Sequence, residues 1–280
     1  MAPLIVYNGN FLDGDKPFIG ADNRSFRYGD GLFETMKIIN GKLLLADLHF
    51  ERLFTSMQRL RFEPPRYFTP YYFMDLISKL CIRNHTEEAA RVRMMVFRGE
   101  GSPHEPADHY PNFVIQAIPL QQEVLSLNKK GLVIDIYPEL CKSCDWLANL
   151  KSNNYLPYVM AAMYARENKL DDCLVLNSHG HIADATIANV FMIKDSIVYT
   201  PALSEGCVAG VMRRHLIKLL RENSFRVEEG SLRTEALSQA DEIFLTNALY
   251  GPRWVGAFRS SQYPGTFARE IHQLLQDSFS

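Results

Sequence analysis

The sequence predicts a protein of the mixed α/β (α+β) class with two domains. Apolar runs with strand alternation and apolar runs with helical spacing both occur along the chain. Residues 120–130 are polar, lack clear periodicity and divide the chain, whose 280 residues are enough for two cores. We therefore expect a small N-terminal α/β domain over residues 1–119, a linker over 120–130, and a larger C-terminal domain over 131–280, rich in strands and flanked by helices.

In the N-terminal domain, the apolar pattern predicts strands around two helices. The dipeptide Asn40-Gly41 between two apolar runs is typical of a two-residue β-hairpin. Asp47 is well placed as the N-cap of the first helix, and His49 and Arg52 lie away from the centre of its apolar face. The predicted elements are strands at 4–8, 17–19, 32–39, 42–45, 91–97 and 112–118, helices at 47–60 and 72–82, and loops at 22–31 and 102–111.

The C-terminal domain is predicted to contain more strands than helices. Its first strand, 132–137, should end before Pro138, because proline cannot donate a hydrogen bond to a neighbouring strand. Apolar residues recur with helical spacing from Leu156 to about Asn168. The remaining predicted elements are strands at 173–177, 181–184, 189–194, 197–200, 225–229 and 242–246, and helices at 211–222, 234–238 and 266–276.

Composition and charge exclude several classes of protein. The chain is 47% hydrophobic and 22% charged, which argues against extensive disorder. A formal net charge of -2 gives no field that would gather a polyanion, so nucleic acid is not an expected partner. No apolar run approaches the roughly 18 residues of a membrane span, and the first residues lack the features of a signal peptide. We expect a cytoplasmic protein with no membrane partner.

The cysteines give a second, weaker hypothesis about function. The five cysteines are scattered and do not resemble a disulfide framework. Cys141 and Cys144 have the spacing of redox and zinc sites, but no second Cys or His pair lies at a suitable distance. A non-catalytic metal or binding protein that uses them is the alternative from another class. The simpler interpretation is two buried or half-buried thiols beside Trp146, with no metal.

The segment from Leu147 to Val190 has the residue types of a cofactor site. Lys151 follows the run 147–150, which we expect to be buried, and the polar side chains of Asn153, Asn154 and Tyr155 come next. A lysine amine can hold an aldehyde cofactor as a Schiff base. A lysine in a loop is more often a solvated surface charge, so the argument for Lys151 depends on these neighbours.

Asp184 is the candidate partner for a ring nitrogen of such a cofactor. It lies among the apolar residues Ile182, Ala183, Ala185 and Ile187. An ionised carboxylate in apolar surroundings needs a cationic partner, and a protonated pyridine nitrogen would be one. An acid at a turn or strand edge is an equally good interpretation.

Two further segments suit a bound phosphate and a cleft. Gly210 precedes a predicted helix, and free N–H groups at a helix start bind phosphate. Arg52 could add a cation for the same phosphate, although most arginines at such positions are solvated. Asn247 follows an apolar strand, where polar residues often face a cleft, and a simple N-cap or turn is the alternative.

Taken together, these residues resemble the class IV pyridoxal-phosphate enzymes. This family contains branched-chain aminotransferases, D-amino-acid aminotransferases and 4-amino-4-deoxychorismate lyases, and the resemblance runs from about Arg24 to Val255. It is carried by Arg27 to Glu34, His49 to Leu53, Leu147 to Tyr155, Asp172 to Phe191, Tyr199 to Pro201, Gly210 to Arg213 and Ala240 to Leu249.

The resemblance implies pyridoxal 5'-phosphate as the cofactor and the two-domain class IV fold, with the cofactor expected in the cleft between the domains. It implies that Lys151 forms the Schiff base and later moves protons, and that Asp184 pairs with the ring nitrogen. The family usually has Glu where this chain has Asp184, so the reach is one methylene shorter. The remaining residues that the resemblance implies for cofactor binding are Arg52, Tyr155, Asn189, Gly210, Val211, Met212 and, at the end of its strand, Asn247.

The activity within the family stays open between two reactions on a small-molecule amino substrate. Gly210 to Arg213 and Asn247 to Leu249 resemble the lyases, which release pyruvate to give 4-aminobenzoate for folate biosynthesis. Glu34 is the form found in the aminotransferases of branched-chain or D-amino acids, and the loop 99–111 lacks the glycine-rich run of the lyases. The resemblance favours the lyase, with the aminotransferase as the alternative. The resemblance also implies a homodimer whose sites are completed by the partner's N-terminal domain.

Overall fold

The computed structural model describes residues 2–279 and divides into two compact units. The first unit contains the residues up to Gln121 together with Lys151–Asn154, and the second contains Gln122–Leu150 and the residues from Tyr155 onward. Helices and strands are mixed in both units, which confirms the predicted α/β class. The predicted domain limits at 119 and 131 stay a prediction.

The first unit is a six-stranded antiparallel sheet with two long helices. The strand order is β2-β1-β6-β5-β3-β4, and α2 and α3 pack against β3 and β6. Its core contains the buried residues Phe50, Phe73 and Phe113. The ring centroid of Phe73 lies 6.1 Å from that of Phe50 and 5.2 Å from that of Phe113. The elements are β1 (Leu4–Tyr7), β2 (Asn10–Asp13), α1 (Arg24–Tyr28), β3 (Gly31–Ile39), β4 (Lys42–Leu43), α2 (Ala46–Arg59), α3 (Pro70–Arg83), β5 (Ala89–Phe97) and β6 (Asn112–Pro119).

The second unit is a nine-stranded mixed sheet. Its order is β12-β11-β10-β13-β14-β7-β8-β9, with β15 paired to β14. Strand β7 runs parallel to both β14 and β8, and α4 packs against β7 and β8. The elements are β7 (Leu132–Lys142), α4 (Leu156–Glu167), β8 (Asp172–Asn177), β9 (Ile182–Ala185), β10 (Asn189–Lys194), β11 (Ile197–Pro201), α5 (Val211–Glu222), β12 (Arg226–Gly230), α6 (Thr234–Ser238), β13 (Glu242–Asn247), β14 (Gly251–Phe258), β15 (Ser261–Gln262) and α7 (Thr266–Asp277).

Three predictions for the first unit are wrong. Residues 17–19 are not a strand, because β1 turns back at Asn8 and pairs with β2 instead. The predicted loop 22–31 contains the short helix α1, which Asn23 caps through its side chain. Asp47 is not the N-cap of α2, because Leu45 takes that position in a left-handed conformation. Asp47 lies in the first turn, where its carboxylate interacts favourably with the positive end of the helix dipole.

Two predictions for the second unit are also wrong. Strand β7 continues through Pro138, and its register shifts between Ile136 and Cys141, so the proline lies at an irregularity where a strand tolerates it. The apolar pattern does not predict strand β14, because Gly251, Pro252 and Gly256 interrupt it. None of the helices within residues 2–279 has both the length and the apolar character needed to cross a membrane.

Candidate active site

Lys151 belongs to the first unit and lies beside strand β3. The Phe33 N–H donates to the Lys151 carbonyl oxygen at 2.9 Å, and residues Leu32 and Ser152 form an antiparallel bridge. The Nζ atom of Lys151 lies 4.5 Å from the centroid of the Phe33 ring. The lysine is therefore half-buried against an aromatic face, where a cation is stabilised, and not a fully solvated loop residue.

Two glycines allow the segment after Lys151 to approach β3 closely. A Cβ atom at Gly31 would lie 2.5 Å from Nδ2 of Asn153, and one at Gly29 would lie 2.6 Å from Oδ1 of Asn154. Asn153 Nδ2 donates to the Ser25 hydroxyl at 2.8 Å. Within residues 2–279 the Oδ1 atom of Asn153 is buried and has no hydrogen-bond partner. The segment thus carries an acceptor that a bound group could satisfy.

Arg52 lies on α2 and forms an ion pair with the buried carboxylate of Glu34 on β3. Its Nε donates to Oε1 at 2.7 Å, and its Nη2 contacts Oε2. The Nδ1 atom of His49 lies 2.7 Å from the same Oε2, and the His49 side chain is 1% exposed. Burial by itself raises the pKa of Glu34, but the charges and hydrogen bonds of Arg52 and His49 lower it to about 2. Glu34 is therefore ionised at neutral pH.

Asp184 is a buried residue of β9 in the second unit, and four donors surround it. Lys142 Nζ and the Tyr158 hydroxyl each lie 2.7 Å from Oδ2. Asn189 Nδ2 donates to Oδ1 at 3.1 Å, and the Val208 N–H lies 3.1 and 3.2 Å from the two oxygens. Since every partner is a donor, the carboxyl group acts only as an acceptor, as an ionised carboxylate does.

Sequence reasoning anticipated that Asp184 needs a cation but did not find Lys142. In the sequence, Lys142 appears only inside the Cys141–Cys144 motif. It reaches Asp184 because β7, β8 and β9 are neighbours in the sheet, and this order cannot be read from spacing along the chain.

Asn189 shapes the backbone that leads into α5. A Cβ atom at Gly210 would lie 1.9 Å from Oδ1 of Asn189, so a larger residue does not fit there. Asn189 Nδ2 also donates to the Val208 carbonyl at 2.9 Å, which in turn accepts from the Gly210 N–H at 2.7 Å. Helix α5 has no side-chain cap, and the buried residues Val211 and Met212 form its first turn. The first N–H groups of this 12-residue helix are therefore available to an anion.

Tyr155 and Asn247 make backbone contacts inside the second unit. The Tyr155 hydroxyl donates to the Thr186 carbonyl at 2.8 Å, and its ring lies 4.7 Å from that of Tyr158. Asn247 Nδ2 donates to the Ile187 carbonyl at 3.2 Å, and its Oδ1 accepts from backbone N–H groups of the turn that follows β13. The turn interpretation of Asn247 thus matches its hydrogen bonds.

The run before Lys151 and the two nearby cysteines differ from expectation. Leu147 is 48% exposed, whereas Ala148 and Leu150 are buried as expected. Cys141 is exposed and Cys144 half-buried, so only the second thiol is shielded. Among residues 2–279, no group of three or more His, Cys, Asp or Glu residues is arranged to hold a metal ion.

Comparison with known proteins gives one family. The family model described as "Amino-transferase class IV" matches residues 31–257. Aminodeoxychorismate lyase of Bacillus subtilis (strain 168) is 28% identical over 249 residues, 88% of this chain and 83% of its own. The enzyme of the same name from Vibrio harveyi is 29% identical over 231 residues, 82% and 83% of the two chains. D-alanine aminotransferase of Bacillus licheniformis is 23% identical over 284 residues, which are 98% of this chain and 96% of its own.

Solved structures confirm the predicted fold. A branched-chain aminotransferase from Thermoproteus uzoniensis, crystallised with norvaline, superposes with a TM-score of 0.89 at 21% identity, covering 99% of this chain and 94% of that one. A hypothetical aminotransferase from Mycobacterium tuberculosis, in a PLP-bound form, superposes with a TM-score of 0.85 at 18% identity, covering 98% of this chain and 97% of that one. At these identities the likeness concerns the fold alone.

The buried ion pair of Glu34 leads to a prediction about stability. Glu34→Gln removes the buried carboxylate that pairs with Arg52, and breaking a buried ion pair typically costs about 3–5 kcal/mol. Because the pKa of Glu34 is lowered from 4.5 to about 2, its carboxylate stabilises the fold above pH 4.5 and loses this contribution as the pH falls from 4.5 toward 2. The difference in free energy of unfolding between the wild type and the variant, measured by urea unfolding, should therefore be largest at pH 7 and smallest near pH 2.

The matched control is Asp75→Asn, which breaks an exposed ion pair with Lys79 on α3. It should change the free energy of unfolding by less than about 1 kcal/mol. Equal effects of the two substitutions at pH 7, or a Glu34 effect that does not shrink on acidification, would contradict the prediction.

Proposed function

Because the chain belongs to the class IV amino-transferase family and is an enzyme of that class, we propose that it is a 4-amino-4-deoxychorismate lyase that uses pyridoxal 5'-phosphate and releases pyruvate to leave 4-aminobenzoate. Two of the relatives reported above, at 28% and 29% identity, are aminodeoxychorismate lyases. The observation that carries the proposal is the position of Lys151, half-buried beside the Phe33 ring with its backbone held to β3.

Two features of the described residues fit this cofactor. The backbone around Gly210 is open only because a Cβ atom is missing there, and the uncapped start of α5 suits a phosphate. The buried, unpartnered Oδ1 of Asn153 lies two residues after Lys151 and needs a donor. Asp184 is the exception, since its oxygens already accept from four donors.

Lys151 would carry the central role. When bound, pyridoxal 5'-phosphate supplies an aldehyde and a ring that can store electrons released at the substrate Cα. The Lys151 amine would hold the aldehyde and, once the substrate amine replaces it, take the proton from Cα as a general base. The Phe33 ring beside Nζ excludes water from one side of the amine.

The other residues would bind and orient the cofactor. The N–H groups of Val211 and Met212, reached across Gly210, would hold the phosphate at the start of α5. Arg52 would add a positive charge, oriented by its pair with Glu34. Further proposed contacts are Tyr155, Asn189 and Asn247, whose side chains already have fixed positions. Asp184, proposed as the partner of the ring nitrogen, would have to exchange one of its four present donors for that nitrogen.

An aminotransferase of branched-chain or D-amino acids is the second candidate. It is supported by Glu34, the form found in the aminotransferases, and by the 23% identity to the D-alanine aminotransferase of Bacillus licheniformis. In that reaction Lys151 would return the Cα proton to the cofactor, and a 2-oxo acid would be needed to complete the cycle. Dependence on a 2-oxo acid therefore separates the two candidates.

The first test combines reduction with product analysis. Borohydride reduction of the protein with its cofactor, followed by mass mapping, should fix the adduct on Lys151, and Lys151→Ala should lose the adduct and nearly all pyruvate release. Lys79→Ala, which changes an exposed lysine of α3, should retain both. Wild-type protein should release pyruvate from 4-amino-4-deoxychorismate with no 2-oxo acid present.

Three results would count against the lyase. Pyruvate release by Lys151→Ala at the wild-type rate would remove Lys151 from its role. Turnover that requires a 2-oxo acid would favour the aminotransferase instead. No adduct on any lysine would remove the cofactor assignment.

The backbone around Gly210 gives a second test. Gly210→Ala would press a methyl group against Asn189 Oδ1, so the turn before α5 must shift and the phosphate site must distort. The Kd for pyridoxal 5'-phosphate, measured by fluorescence titration, should rise at least about tenfold, equivalent to roughly 1.4 kcal/mol. Gly230→Ala is the control, because nothing lies within 4 Å of its added Cβ atom. Unchanged affinity in both variants would contradict the phosphate assignment.

We also propose that the protein is a homodimer. Helix α4 leaves a row of apolar side chains exposed, which in a soluble chain needs a cover. These are Leu156 at 68%, Val159 at 44%, Met160 at 39% and Met163 at 51% exposed. Sedimentation equilibrium should give twice the chain mass of 32.1 kDa, and Leu156→Asp should lower it, whereas Tyr71→Asp on α3 should not. A single-chain mass for the wild type would refute the dimer.

A further inference from the structure

A short segment of the second unit connects the candidate lysine to the loop that leads into α5. The segment is the 3₁₀ helix Trp146–Asn149, which ends two residues before Lys151. Asp145 caps this helix, because its side chain accepts hydrogen bonds from the N–H groups of Leu147 and Ala148. Apart from Lys151, these residues have no role in the function proposed above.

Asn149 binds the loop 203–209 at three points. Its Nδ2 atom donates to the carbonyl oxygens of Leu203 at 2.8 Å and Cys207 at 2.7 Å. Both N–H groups of the carboxamide are therefore used to hold this loop. The carbonyl oxygen of Asn149 accepts from the Ala209 N–H at 3.0 Å. This third contact lies two residues before α5 begins.

The loop 203–209 has further contacts within the second unit. The Glu205 carboxylate accepts from Asn177 Nδ2 at 2.7 Å. At Gly206, where φ is +80°, an added Cβ atom would lie 2.4 Å from the Ser143 carbonyl oxygen. The part of the loop before residue 207 is thus held in place, and the part after it leads to the uncapped start of α5. An anion bound at that helix start would order the second part of the loop.

The backbone is held on both sides of the lysine. The Lys151 carbonyl oxygen accepts from the Phe33 N–H at 2.9 Å. Along the chain, Leu150 alone separates Lys151 from Asn149, and the Leu150 N–H donates to the Leu147 carbonyl at 3.0 Å. A shift of Asn149 must therefore be taken up by Leu150 and by the backbone of Lys151 itself.

We propose that Asn149 is a positioning residue that couples the anion site at the start of α5 to Lys151, so that bound phosphate favours Schiff-base formation at the lysine. The inference rests on the proposed function, because it takes Lys151 as the reacting amine and the start of α5 as the phosphate site. Two sites are coupled when binding at one orders groups that the other also needs ordered. Here these groups are the Ala209 N–H, Asn149 and the backbone between Asn149 and Lys151.

The test separates the phosphate from the aldehyde by using two probes, inorganic phosphate and pyridoxal, which has no phosphate group. Lys151 Nζ attacks the pyridoxal aldehyde carbon, the C=N bond forms, and the aldehyde oxygen leaves as water. Absorbance gives the Kd, and borohydride reduction with mass mapping locates the adduct. In the wild type, saturating inorganic phosphate should lower the Kd of pyridoxal about fivefold or more, as is typical of coupled sites.

Two substitutions of Asn149 should remove this effect. Asn149→Asp keeps the shape of the side chain and removes both N–H donors, and Asn149→Ala removes them without adding a charge. In both variants saturating phosphate should change the Kd of pyridoxal by less than about twofold. Weaker packing alone would raise the Kd equally with and without phosphate, so the ratio of the two values separates a positioning role from a structural one.

The matched control is Asn168→Asp at the end of α4. Asn168 is exposed, and its Nδ2 atom also donates to a carbonyl oxygen, that of Tyr164, at 2.9 Å. This variant should keep the effect of phosphate seen in the wild type.

Amide hydrogen exchange of the wild type gives a second measurement, which needs neither a variant nor an aldehyde. Inorganic phosphate should slow exchange at Val211 and Met212, where it is proposed to bind, and also at Ala209 and Leu150. Slower exchange at Val211 and Met212 alone would overturn the coupling.

Two results of the pyridoxal titration would also overturn the inference. These are an equal effect of phosphate in the wild type and both Asn149 variants, and no effect in the wild type. If pyridoxal 5'-phosphate still gives a borohydride adduct on Lys151, the proposed function stands while this inference falls. No adduct on Lys151 with pyridoxal 5'-phosphate would overturn both.

Discussion

The second unit depends on one buried charge, the carboxylate of Asp184. A charge taken out of water is destabilising unless donors and a cation surround it, and the cost of an unpaired buried ion is several kcal/mol. Here the donors come from β7, α4, β10 and the loop before α5. Satisfying one carboxylate therefore fixes the mutual positions of four segments, including the backbone proposed to hold the phosphate.

The first unit contains a second buried carboxylate with the same physical role. Glu34 on β3 holds α2 in place through its contacts with Arg52 and His49. These two residues lower the pKa of Glu34 to about 2, so its carboxyl group is ionised although it is buried. Lys151 is held differently, by backbone hydrogen bonds to β3 and by the Phe33 ring. Its amine is the nucleophile that is proposed to form the covalent bond with the cofactor aldehyde.

Local sequence signals predicted the elements well where they are strong. The Asn40-Gly41 hairpin forms with both residues at positive φ, because only such residues tolerate the turn that matches strand twist. Prediction failed where hydrogen bonds between strands outweigh the local preference of a residue. Pro138 lies within β7 at a register shift. Strand β14 forms despite its glycines, because it pairs with β13 and β7. Residue types of the candidate site were found, but their partners were not.

By itself, the sequence determined the mixed α/β class, the family and the residues whose chemistry is local, such as Lys151 after its apolar run and Gly210 before a helix. Only the tertiary structure decided which charges meet. Lys142 and Asp184 are 42 residues apart, and Glu34 and Arg52 are 18 apart. The physical reason is that a buried charge pairs with whichever oppositely charged residue the fold brings within about 3 Å. The packing of strands and helices decides which residue that is, and spacing along the chain does not show it.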